Sequence, residues 1–214
     1  MWTSLDPPWQ EAFSLAWESF IKSTIPIGCV IVDDHERIVA RGRNAIFDTS
    51  SSHPLAGTVM AHAEMTALSE LKEKEHPNIR AYTLYTTLEP CPMCFGAMVM
   101  MHIRNIKYAG RDRVAGAIAL KSATPYLQSK PLVTELGPEV LETFQIVLIT
   151  AFELITRDHP RRAELLQMWG EDCPVGINIG RKLTQEGYFA LAIREGYGVN
   201  EVFQRVLSEL TLKY

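Results

Sequence analysis

The chain reads as an α/β protein, a three-layer α/β/α sandwich on a mixed sheet, with a helical extension at its C-terminal end. Three observations predict this. Two β-branched runs joined by a short polar turn form a hairpin, strands and helices alternate after it, and further helical segments follow Pro160. The 214 residues suffice for one sizeable core, which divides into a domain over residues 1–156 and an extension over 157–214.

Pro7 and Pro8 suit a first helical turn, and Trp9, Phe13, Trp17 and Phe20 recur at helical spacing, so the chain opens on a packing helix. "IPIGCVIV" and "RIVARG", either side of "DDHE", are the hairpin. Residues 43–59 are rich in Ser, Gly, Pro and Asn without a period and form a long loop, a kind of segment that is often functional. The helix carrying His62 and Glu64 runs to about residue 74, with Met65, Leu68 and Leu71 on one side. "AYTLYTTL" is a strand by its aromatic and β-branched content, ending at "EPCPMC"; "FGAMVMMHI" continues as a buried helix and "NIKYAG" is the next strand. "KPLVTELG" holds a short strand leading into a helix over residues 138–156. Two or three helical segments follow, broken at "GEDCPVGINIG" and "REGYGVN".

Charge and hydropathy narrow the function classes. A net charge of -4 speaks against a protein that holds nucleic acid by a strongly basic surface. "RDHPRR", residues 157–162, is the densest positive cluster and reads as a solvated turn between helices. The opening "MWTSLDPPWQ" lacks the basic stretch and apolar run of a secretory signal, and the apolar region at 146–155 is interrupted and too short to span a bilayer. The expected location is the cytoplasm. Of four cysteines, Cys91 and Cys94 form a C-x-x-C pair, which in a reducing compartment favours a metal or a redox couple.

A C-x-x-C pair opening a helix puts two sulfurs on one face of the first turn, at a spacing suited to one tetrahedral zinc. Pro90 and Pro92 stiffen that turn. His62 is the best-placed third ligand, because it too begins a helix that follows a loop. His62 and Glu64, two residues apart, do not share a side face of a helix. A metal held off the helix end can meet both, with His62 as ligand and Glu64 reaching a metal-bound water. Three protein ligands leave a fourth position open, as in catalytic zinc sites.

"HAE" followed by "PCPMC" resembles the H-x-E and P-C-x-x-C signature of the zinc-dependent cytidine and deoxycytidylate deaminase superfamily. Within it the chain is most similar to the tRNA adenosine deaminase and guanine deaminase branch, through "GRN", "TLEPCPMC" and "YAGRD", over roughly residues 25–156. The resemblance implies a cytidine deaminase-like fold with a five-stranded mixed sheet and one Zn2+ per subunit on His62, Cys91 and Cys94. It also implies Glu64 as proton shuttle and a homodimer packed through the metal-bearing helices. Asn44 is implied as a hydrogen-bond partner of the substrate's base or ribose, and the Ala63 N–H as a contact for a ring substituent.

Taken singly, these residues have plainer readings: His62 as a polar helix-start residue, Glu64 as a first-turn acid, the two cysteines as buried thiols, and Asn44 as a turn residue. Together, their order and positions at element boundaries favour catalysis. The expected function is hydrolytic deamination of a small-molecule nucleobase or nucleoside, a purine such as guanine or adenine/adenosine favoured, with release of ammonia and no membrane partner. The alternative is conversion of adenosine to inosine at a tRNA wobble position; the acidic balance and "RDRVAGAIAL" speak against it. A further alternative is a non-catalytic zinc scaffold closed by Cys173, which would have no need of Glu64. Three roles are open to the extension: capping the active site, extending a dimer interface or covering an apolar sheet edge.

Overall fold

Pro7 and Pro8 occupy the first turn of α1 (Pro7–Ile21), where a missing amide hydrogen costs little. The hairpin of β1 (Gly28–Val32) and β2 (Ile38–Arg43) follows. The computed structural model describes residues 2–156 and 158–211, Glu73 by its backbone alone. Arg157, which heads both "RDHPRR" and the extension, lies outside the described residues, as do Met1 and the last three positions. The rest of that basic cluster is neutralised locally, Arg161 by Glu164 and Arg162 by Asp158.

After the hairpin come α2 (Ala63–Ser69), β3 (Thr83–Leu88), α3 (Pro92–Met100), β4 (Asn105–Gly110), the short α4 (Pro125–Gln128), β5 (Val133–Leu136) and α5 (Glu139–Ile155). The five strands form one mixed sheet in the order β2-β1-β3-β4-β5. β1 runs antiparallel to both its neighbours, and β3, β4 and β5 are parallel. Strand alternation sorts side chains between two faces. Cys29, Ile31, Ala40 and Leu84 meet α2 and α3, whereas Val30 and Val32 meet Ala12 of α1.

The extension contains four helices among the described residues, not two or three: α6 (Arg162–Asp172), α7 (Pro174–Gln185), α8 (Tyr188–Arg194) and α9 (Val199–Thr211). "GEDCPVGINIG" breaks only at Cys173, and α7 then runs through its glycines. Gly176 and Gly180 lie one turn apart against α5, where an added Cβ would come within 2.8 Å of the Ile146 Cβ and 2.7 Å of the Thr150 Cβ. The glycines are there for close helix packing. Phe13 of α1, Phe144 and Phe152 of α5, Leu183, Phe189 and Phe203 share one core, so α7 to α9 cover α5 and α1 rather than a sheet edge.

α2 is also shorter than its expected end near residue 74. Beyond Ser69 the run "ELKEKEHP" offers one buried apolar anchor, Leu71, and a single 3-10 turn, Glu73–Glu75, replaces the helix. No described helix is long and apolar enough to cross a membrane.

The hairpin turn is held by Asp33, whose carboxylate accepts from the backbone N–H groups of His35 and Arg37 and from the Arg37 guanidinium, all at 2.7–2.9 Å. The Arg37 hydrogen bonds hold the Asp33 carboxyl down at about 2 from its ordinary 3.8. A depressed carboxyl stabilises the fold above its unfolded value, and that contribution is lost as pH falls from 3.8 through about 2. Thermal melts of the wild type and Asp33→Asn should therefore differ above about pH 5 and converge at the acid end of that window.

Candidate active site

His62 and Cys91 are the N-cap residues of α2 and α3, each with extended backbone (φ -68, ψ 152 and φ -71, ψ 169), so the two helices start by pointing at one place. Pro92 takes the first position of α3 and Cys94 follows in its first turn. His62 Nδ1 lies 3.6 Å from each sulfur, and the sulfurs lie 3.6 Å from each other. A tetrahedral ion with Zn–S of about 2.3 Å and Zn–N of about 2.0 Å spaces its ligand atoms roughly 3.5–3.8 Å apart. The triangle therefore fits a zinc ion without rearrangement. The sulfur–sulfur hydrogen bond holds Cys91 down at about 4, and the same bond, with burial, pushes Cys94 up. The hydrogen bond with Cys91 also raises His62.

The first turn of α2 rests on a row of small residues across the sheet. Cys29 pairs with Gly42 on one side and with Thr86 on the other. A Cβ at Gly42 would fall 2.0 Å from the Ala63 carbonyl oxygen and 2.5 Å from the Ala67 nitrogen, so only glycine lets the helix sit this close. Thr86 Oγ1 donates to Glu64 Oε1 at 3.0 Å. Glu64 is buried, and desolvation raises its pKa above the ordinary carboxylate value.

A cleft opens onto this centre. His62, Glu64 and Cys91 line it together with Ile25, Ile27 and Leu88, while Glu89, Asp112 and Glu153 supply carboxyls and Ile149, Leu165 and Trp169 supply apolar wall. Glu89 accepts from the backbone N–H groups of Asp112 (3.2 Å) and Ile118 (3.1 Å). Asp112 accepts from the N–H groups of Val114 and Ala115 and also from Trp169 Nε1. Burial raises its pKa.

Asn44 and Ala63 are close to this machinery but do not line the cleft. Asn44 is buried; its Oδ1 accepts from Thr24 Oγ1 (2.7 Å) and the Ile46 N–H (3.2 Å), and its Nδ2 has no hydrogen-bond partner. Ala63 is the first residue of α2 and fully buried. Cys173 does not join the metal centre: its sulfur donates to Thr143 Oγ1 at 3.8 Å, among Leu88, Ile146 and Trp169. The scaffold closed by Cys173 therefore has no geometric basis. Residues not anticipated from sequence are Thr86, Glu89, Glu153, Leu165 and Trp169. Only Glu89, a charge set directly before Pro90-Cys91, and the apolar spacing of Leu165 with Trp169 offered a signal.

Residues 8–110 match the cytidine and deoxycytidylate deaminase zinc-binding region. The tRNA-specific adenosine deaminase of Rickettsia bellii is 30% identical over 123 residues, which are 56% of this chain and 79% of that protein. The enzyme of the same name from Streptococcus pyogenes serotype M1 is 37% identical over 110 residues, 51% of this chain and 60% of its own length. The chain thus spans less than two thirds of that streptococcal relative. Guanine deaminase from Nitrosomonas europaea is similar in fold, with a TM-score of 0.51 at 19% identity over 69% of this chain and 85% of that one. The chain belongs to the zinc-binding cytidine and deoxycytidylate deaminase family. The family match begins within α1, earlier than residue 25, and ends with β4, so α5 to α9 lie beyond it.

Because α2 cannot move off Gly42 without carrying His62 and Glu64 with it, Gly42→Ala should cost about 2 kcal/mol or more of stability, as overpacked sites do. It should also release zinc to a competing chelator more readily than the wild type. Unchanged urea midpoint and unchanged zinc retention would mean that the helix is not seated by this contact.

Proposed function

We propose that the protein is a zinc-dependent hydrolytic deaminase that replaces the amino group of a small nucleobase or nucleoside with oxygen and releases ammonia, purines such as guanine, adenine or adenosine being favoured. The observation that carries this reading is the buried, hydrogen-bonded Glu64 beside a centre of three converging ligand atoms rather than four among the described residues. His62, Cys91 and Cys94 hold one zinc per subunit. When bound, the ion supplies the Lewis acidity that lets water ionise at about neutral pH.

Glu64 takes a proton from the attacking water as the water oxygen bonds to the amino-bearing ring carbon, and passes that proton to a ring nitrogen. It then carries the proton of the new hydroxyl to the amino group; the C–N bond breaks, ammonia leaves and the carbonyl forms. A carboxyl whose burial favours the protonated form is suited to accept and return a proton in this way. Asn44 is assigned the substrate's base or ribose, supported by its buried, unpartnered Nδ2. The Ala63 N–H is assigned a ring substituent, supported by its place among the first-turn amides that lack an intrahelical acceptor.

Residues 1–156 carry the chemistry and 157–214 form the extension. The protein is further proposed to act as a cytoplasmic homodimer. The family resemblance supports the dimer, and four cysteines outside any disulfide support the compartment. A second reading, adenosine-to-inosine conversion in tRNA, is favoured by the similarity to the tRNA-specific adenosine deaminases of Streptococcus pyogenes and Rickettsia bellii.

The purified protein should release ammonia from at least one member of a panel of bases and nucleosides. Glu64→Gln should lower kcat by about 10²–10⁴-fold with zinc content unchanged, whereas His62→Ala should lose the zinc. Full activity in the Glu64 variant would remove it from its role. Asn44→Ala should raise KM or lower kcat/KM, and wild-type kinetics would take Asn44 out of the site.

A further inference from the structure

The loop over residues 111–118, which follows β4, supplies Asp112, Val114 and Ala115 to the cleft that His62, Glu64 and Cys91 also line. Its internal hydrogen bonds run from the Val114 and Ala115 N–H groups to Asp112 Oδ1, and from the Gly116 N–H to the Asp112 carbonyl at 2.7 Å. Bonds of this kind give the loop its shape. Its distance from the candidate metal ligands has to be set by contacts from outside.

Glu89 makes those contacts. One carboxylate oxygen accepts from the Asp112 N–H at 3.2 Å and the other from the Ile118 N–H at 3.1 Å, so the pair grips the backbone on both sides of the cleft-lining residues. Between the two points Gly116 rests on the carboxyl group itself, where an added Cβ would fall 2.5 Å from Glu89 Cδ. Pro90, the next residue, accepts from the Ala117 N–H at 2.9 Å. Glu89 is fixed in turn, because its own N–H donates to the Gly110 carbonyl at 2.8 Å, and it stands two residues before Cys91. Arg111 and Arg113 also tie the loop, to Glu142 and Asp172, and Trp169 Nε1 meets Asp112 at 2.9 Å, but these partners lie on α5 and α6. Glu89 belongs to the same turn as a candidate ligand.

We propose that Glu89 is a positioning residue: its carboxylate sets the spacing between the cleft-lining loop and the metal-bearing turn, and so the width of the cleft where a ring is held. The proposal rests on the deaminase reading for its chemistry and goes beyond it by giving a role to an acid that acts through the loop. The role needs a carboxylate, which offers two acceptor oxygens and no donor. A carboxamide of the same size would turn an NH2 group toward one of the two N–H groups.

The test compares the full-length wild type with Glu89→Gln, with Gly116→Ala, which pushes the loop off the carboxyl group, and with the double variant. Thermal melting and zinc content check that each variant folds and is loaded. Each single variant is expected to raise KM for the base or nucleoside that the wild type turns over fastest by about fivefold or more, with kcat within about twofold, the pattern of lost binding rather than lost chemistry. The double variant is expected to stay within about twofold of the worse single one, because both changes break one contact. Amide hydrogen exchange over residues 112–118 is expected to rise about tenfold in each single variant. An unchanged KM, even with a lowered melting temperature, leaves Glu89 a purely structural residue and overturns the proposal. So do unchanged exchange in the loop, fully multiplicative effects in the double variant, or a fall in kcat that follows loss of zinc. If no compound yields ammonia, the deaminase reading falls, and the Kd for the same panel, measured by calorimetry, takes the place of KM. A fivefold weakening together with faster loop exchange supports the proposal, and unchanged or absent binding overturns it.

Discussion

The first turn of α2 lies on three small residues, Gly42, Cys29 and Thr86, aligned across β2, β1 and β3, and the rest of the centre depends on that seat. Strand register decides it. A slip of one residue would turn each of these side chains to the opposite face of the sheet and set larger neighbours such as Arg41, Val30 and Tyr85 beneath the helix. With the seat in place, His62 reaches the sulfurs of α3 and Glu64 reaches Thr86 without further adjustment. Hairpin pairing, a glycine and a threonine hydroxyl thereby become parts of a candidate metal centre whose ligand residues none of them supplies.

The candidate site was largely legible in the sequence because the residues that could hold a metal are local signals. His62 and Cys91 each cap a helix, and Cys94 follows within the same turn, so motif spacing carries the geometry. The five strands were legible for a similar reason, since each is a short β-branched or aromatic run between turn residues. What could not be read depends on distant packing. Trp169 meets Asp112 across 57 positions, and no local pattern announces such a pairing. The glycines of α7 misled in the opposite sense: their composition signals a loop, but the close approach of α5 turns them into helix-packing residues. Leu71 illustrates a third case, a core residue held in place just past the end of its helix.

Charge in this molecule is arranged in short, closed groups. Arg111 joins α5 and α6 through Glu142 and Asp172, Arg43 pairs with Asp48 and Glu18 beside the long loop, and Lys182 meets Glu209 between α7 and α9. The Arg111 cluster stands apart because Glu142 is buried, so removing the arginine would strand a charge in the interior, whereas the exposed pairs are worth little individually. Its effect is mechanical: the loop carrying Asp112, the helix carrying Glu153 and the helix carrying Trp169 are held as one body.

α5 touches the sheet on one side and α7 on the other, and its residues are buried from Leu141 through Glu153. Such a helix has no solvent side on which substitutions are free. A change at Ile149 alters the wall of the cleft, and a change at Ile146 or Thr150 alters the seam with α7. The two helices must therefore drift together or not at all, which ties the divergence of the appended helices to that of the sheet-bearing body and makes them poor candidates for exchange between proteins as a module.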